Sequence, residues 1–240
     1  MRSLLEMAAP IVLVSVILFA LWKQRAAWLA VAVPLVLWLG VVWVLAARGA
    51  FLATPGVRGI PALPVAIGAP VVGLILLLRS PRVAKLLDAT PPSWLIGVQV
   101  YRALGFIFLV SWYLGTMPGL FALPAGIGDV IVGLTALPTA LRVSSGTEAG
   151  RRAGMAWNVF GLVDLTVAIT TGFLTVPGPG LLPGLSHPNM ELGTFPIVLI
   201  PAFMVPASIL LHALSLRQLR RLGAHLHVGH VVGLGRLGQV

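Results

Sequence analysis

The chain has 240 residues, 58% of them hydrophobic and only 9% charged, with a formal net charge of +10. A soluble domain carries about 25% charged residues because its surface faces water, so this composition, with a mean hydropathy of +1.02, excludes an ordinary soluble globule and points to lipid as the solvent. There is no cysteine, which excludes disulfides, thiolate metal sites and thiol catalysis.

A helix needs about 20 apolar residues to cross the hydrocarbon core. In chain order the runs that meet this need are about 7–22, 27–47, 60–78, 94–116, 119–141, 153–175 and 193–215. The first competes with a secretory signal peptide, but Lys23 and Arg25 follow it and no small-residue cleavage site ends it, so it reads as a retained helix. The expected fold is all-α: a single transmembrane bundle of about seven spans over residues 1–221, with 222–240 as a disordered cytoplasmic tail.

The connections orient this bundle. With seven spans, Lys23, Arg25, Arg79, Arg82, Lys85, Arg142, Arg151, Arg152, Arg217, Arg220, Arg221 and Arg236 lie on one side, against Arg2, Arg48 and Arg58 on the other. The positive-inside rule then puts the C-terminus in the cytoplasm and the N-terminus outside. Basic residues placed between apolar runs mark topology rather than DNA binding, so membrane lipid is an expected partner and nucleic acid is not. A basic complement that is nearly all arginine, with much Ala, Gly, Val and Leu, indicates a bacterial cell (inner) membrane. In the connection 79–93 the stretch RVAKLLD predicts a short amphipathic interfacial helix, and the Pro- and Gly-rich stretch 176–192 predicts an irregular outer cap.

An ionised side chain at the bilayer centre costs roughly 2.5–3.5 kcal/mol on insertion scales. Arg102, Asp129 and Asp164 fall inside predicted spans and are therefore expected to face the protein interior. Gln99 shares a face with Arg102, three residues on. Gly126, Asp129 and Gly133 share a face of the fifth span, where glycine lets another helix approach closely. Asn158 and Asp164 flank Gly161 on the sixth, and His212 sits about one turn from the cytoplasmic end of the seventh. Gln99, Arg102, Asp129, Asn158, Asp164 and His212 thus form a candidate substrate or proton site, in which Arg102 holds an anionic group and the aspartates exchange protons. The competing reading is a purely architectural polar cluster. No metal or cofactor is expected; His225, His227 and His230 lie in the tail.

Gly126-Ile127-Gly128-Asp129 spells G-x-G-D, and Asp164 lies on the next span, a likeness to intramembrane aspartyl proteases, in which two carboxylates share a proton. There the G-x-G-D acid follows its partner along the chain, whereas here it comes first. The last span has no lysine, so a retinal-binding opsin is excluded.

Further motifs run from Gln99 to Arg102, through Asp129 with Gly133-Leu134-Thr135-Ala136, then Trp157-Asn158 with Gly161-Leu162, and finally from Pro196 to Leu216. Over residues 97–221 they resemble an uncharacterised family of bacterial polytopic membrane proteins, a resemblance that implies a membrane-embedded fold and no particular activity. The expected function is a small transporter or permease-like protein with a cytoplasm-facing polar site. An intramembrane enzyme using Asp129 and Asp164, and a non-catalytic subunit or sensor, are the alternatives.

Overall fold

A computed structural model describes residues 7–8, 10–16, 28–52, 62–79, 81–178, 181–185 and 187–237. Every regular element among them is helical. In chain order they are α1 (Trp28–Ala47), α2 (Ala62–Leu78), α3 (Pro81–Ala89), α4 (Pro92–Tyr113), α5 (Gly119–Ser144), α6 (Glu148–Thr175) and α7 (Ile200–Gly223), whose backbone runs on as helix to Leu237 in the stretch read above as a tail.

The span count is corrected. Among the described residues four helices, α4 to α7, are long and apolar enough to cross a membrane, not seven. The second and third expected spans correspond to α1 and α2, apolar helices of 20 and 17 residues. Of the first expected span, 7–22, residues 7–8 and 10–16 are described and helical, while 9 and 17–22 lie outside the described residues.

Local chemistry sets the helix ends. Pro92 opens α4, where a missing N–H costs nothing. α5 and α6 form a hairpin whose turn passes through Gly146 at φ +69°, a left-handed conformation that favours glycine. The Thr147 hydroxyl oxygen then caps α6 by accepting from the Gly150 N–H at 3.1 Å. Glu148 in the first turn favours the helix dipole and holds Arg151 and Arg152 at 2.7 and 3.0 Å. α6 stops at Val176, extended because Pro177 follows it.

Two helices depart from α geometry beside the polar centre. Val98–Gly105 of α4 is a 3-10 helix, and Ile200–Met204 at the head of α7 is a π-helix. Prolines 201 and 206 cannot donate to the preceding turn, which accounts for the loosened winding there.

The bundle is apolar outside and polar inside. On α5, Leu134 and Leu141 are 66% and 72% exposed, while Arg102 is 3% and Asp164 7% exposed. This inversion of a soluble protein fits a lipid surround. Trp94 stands exposed near one end of α4, and Trp112 and Tyr113 near the other. They lie about 30 Å apart at the usual rises of α and 3-10 helix, matching the two interfaces where aromatic belts form. Of the four spans α7 is the most enclosed, with 61% of its apolar window buried.

The short helix expected around RVAKLLD is α3. Its Asp88 carboxylate accepts from Arg217 on α7 at 2.9 and 3.1 Å and also from Arg221. The hydrogen bond from Arg217 chiefly, aided by Arg221 and opposed by partial burial, holds the Asp88 pKa below its usual 3.8. A carboxyl whose pKa is lower folded than unfolded adds stability above the unfolded value, and that stability fades as pH falls through the folded one. Asp88→Asn is expected to cost about 0.5–1 kcal/mol at about pH 7, because both arginines are part-exposed and screened. Melting in detergent should show the gap between mutant and wild type narrowing as the pH falls below 3.8; a gap that does not change with pH would exclude the pairing.

Candidate functional site

The 3-10 stretch of α4 explains how the site assembles. At three residues per turn, positions three apart eclipse one another, so Gln99, Arg102 and Gly105 stack on one side. Ile96, Phe108 and Ser111 extend that row at the same spacing, and all six are buried. A lengthwise buried stripe through α4 therefore carries the arginine.

Glycines let partner helices close on this stripe. On α5, a Cβ at Gly133 would overlap the Ala103 backbone, and one at Gly126 would meet the Leu109 side chain and the Gly105 carbonyl. In return, a Cβ at Gly105 would overlap Asp129. The face expected to carry Gly126, Asp129 and Gly133 is the face α5 turns to α4. Gly128 and Gly161 serve side chains instead: a Cβ at Gly128 would overlap the Asp164 carboxylate, and one at Gly161 the His212 imidazole.

Arg102 lies at the centre. Its Nε donates to Asp129 Oδ1 at 2.7 Å, and Nη2 reaches the same oxygen at 2.7 Å and also Asp164 Oδ2. Its Nη1 lies 3.0 Å from His212 Nε2. A guanidinium only donates, so Nε2 accepts, and His212 is the neutral tautomer protonated on Nδ1. That nitrogen donates to Asn158 Oδ1 at 2.9 Å. The Asn158 amide in turn donates to Gly154 O at 2.7 Å and to Ser215 Oγ at 3.0 Å. The Gln99 amide faces His212 Nδ1 at 3.4 Å, and its buried Oε1 has no hydrogen-bond partner. The Trp157 ring packs on the imidazole with centroids 5.1 Å apart. All six residues singled out in the sequence therefore meet in one network drawn from α4 to α7.

Beside Arg102 is a cavity of about 30 Å³, lined by Arg102, Asp129, Tyr101 and Ser208 among apolar side chains. One water needs about 10–15 Å³, so it has room for about two water-sized species. Tyr101 donates to Ser208 Oγ at 2.5 Å, because the Ser208 proton is directed to Met204 O at 2.8 Å.

Tyr101, Ser208 and Ser215 join these contacts without having been singled out in the sequence. Ser208, His212 and Ser215 follow the four-then-three spacing of a single helix face, a signal available in the letters. Gly128 was absorbed into the G-x-G-D pattern, but its role is to leave room for Asp164. His212, expected near a helix end, is fully buried. Both aspartates turn to the one guanidinium, which sets this arrangement apart from a protease dyad that shares its proton with no intervening cation.

Residues 60–220 match the family described as a domain of unknown function, DUF8737. The chain belongs to that family. All six network residues lie within the matched span. No curated protein and no solved structure matches the chain.

Proposed function

We propose that this DUF8737 chain is a small permease-like membrane transport protein whose working centre is Arg102 with Asp129, Asp164 and His212. The observation that carries the reading is the cavity beside Arg102 and Asp129, which gives buried charged groups contact with a water-sized space. A charge within the membrane is by default a functional feature. At about 30 Å³ the cavity suits a proton, a water or a small ion rather than a large organic cargo.

The test is transport itself. Protein reconstituted in phosphatidylethanolamine–phosphatidylglycerol vesicles, with a pH dye inside, should dissipate an imposed proton gradient at least tenfold faster than the Arg102→Gln variant. Rates equal to empty vesicles for both would end the reading. In an aspartyl protease, Asp129→Asn and Asp164→Asn would each abolish peptide cleavage, and in a non-catalytic subunit the same changes would move only the melting temperature.

The proposal includes the wider setting: a bacterial inner membrane, an odd number of spans, the N-terminus outside and the C-terminus in the cytoplasm. The 12:3 division of basic residues supports it. A chain without cysteine suits single-cysteine labelling. In intact cells Ser3→Cys should react with an impermeant maleimide and Gln239→Cys should not; equal labelling of the two ends would exclude an odd number of spans.

A further inference from the structure

We propose that the Asp129–Asp164 pair holds one exchangeable proton, and that the single positive charge of Arg102 sets that number. This rests on the reading of the Arg102 centre as a working site, and it names the species handled there as a proton.

The argument is a count of charge. Arg102 brings one positive charge, and the two carboxylates bring two negative charges when both are ionised. The group facing the pair is Arg102 from α4, whose far side meets His212 from α7; the Tyr101 hydroxyl is engaged with Ser208. Asp88 and Glu148 are occupied elsewhere, Asp88 with Arg217 and Arg221, and Glu148 with Arg151 and Arg152. With both carboxylates ionised, the centre would carry a net negative charge, which in a bilayer costs several kcal/mol. One added proton neutralises it.

Geometry assigns that proton to the carboxylates. His212 Nε2 faces an N–H of Arg102 and Nδ1 already carries a hydrogen toward Asn158, so the ring has no free site. Each aspartate, by contrast, engages Arg102 through one oxygen only; Asp129 Oδ2 and Asp164 Oδ1 accept no hydrogen bond from a described residue. Asp129 also lines the cavity, whose volume is enough for a water that could take up the proton. Uptake forms one O–H bond on a carboxylate and release breaks it, with no other bond changed. Because the sites are coupled, the proton belongs to the pair rather than to one residue.

The count makes a pattern of predictions that no single assigned carboxyl gives. Infrared spectroscopy of purified protein in nanodiscs near neutral pH reads protonated carboxyl groups through their C=O stretch. Wild type should show one such group. Asp129→Asn and Asp164→Asn should each show none, because the remaining carboxylate then balances Arg102. Arg102→Gln should show two, and His212→Gln should keep one. The asparagine variants preserve side-chain shape, and a retained melting transition confirms folding in each. A band that survives both single asparagine variants, or that vanishes in His212→Gln, overturns the proposal. Vesicles that move no protons while the infrared pattern holds would sink the transport reading alone.

Discussion

Arg102→Gln is expected to destabilise the protein by about 3–5 kcal/mol near neutral pH, among the largest effects of any single substitution. Removing one partner of a buried ion pair leaves the other uncompensated, and here two carboxylates and an imidazole lose a common donor. The loss should shrink as pH falls, because protons then replace the guanidinium charge. Arg102→Lys keeps the charge but not the planar fork that reaches three groups at once, so an intermediate effect is expected. Adding Asp164→Asn to Arg102→Gln should recover part of the loss, giving a coupling energy well beyond additivity. Thermal melting in detergent measures all four. If Arg102→Gln and Asp164→Asn simply summed, the two residues would not interact.

Gly133→Ala is expected to cost about 1–3 kcal/mol or more, because its Cβ would overlap the Ala103 backbone and backbone cannot rotate away. Helix α5 must then draw back from α4, and Asp129, four residues earlier, loses its place against Arg102. The same substitution at Gly40 or Gly68 meets nothing within 4 Å. There it should be neutral or stabilise by up to about 1 kcal/mol, since alanine has the better helix propensity. Proton flux in vesicles should fall with Gly133→Ala and stay level with Gly40→Ala. Equal melting temperatures for all three variants would show that α4 and α5 are not in close contact.

Much of the candidate site was legible in the letters, for a reason that lies in the solvent. In lipid an ionised side chain is so costly that Arg102, Asp129 and Asp164 had to turn inward, whatever the details of packing. Gly126 and Gly133, spaced on either side of Asp129, likewise marked the face of closest helix approach. Gly128 was not legible, because a glycine that accommodates a side chain of another helix looks in sequence like one that accommodates a backbone. The winding of α4 was not legible either. An apolar run reads by default as an α-helix, whereas the eight residues Val98–Gly105 are 3-10.

The span count shows where local information ends. Apolar letters in α1 and α2 resemble those in α5, but the helices they form are 20 and 17 residues long against 26. By itself, then, the sequence determined the solvent, the helical class and the inward direction of the polar groups, because each follows from the cost of placing charge or unpaired backbone in oil. Only the tertiary structure decided that both aspartates share one guanidinium, that His212 accepts from it, and that a cavity opens beside them. Those facts depend on which helices touch and at what height, and the contacts responsible join residues as far apart as 102 and 212.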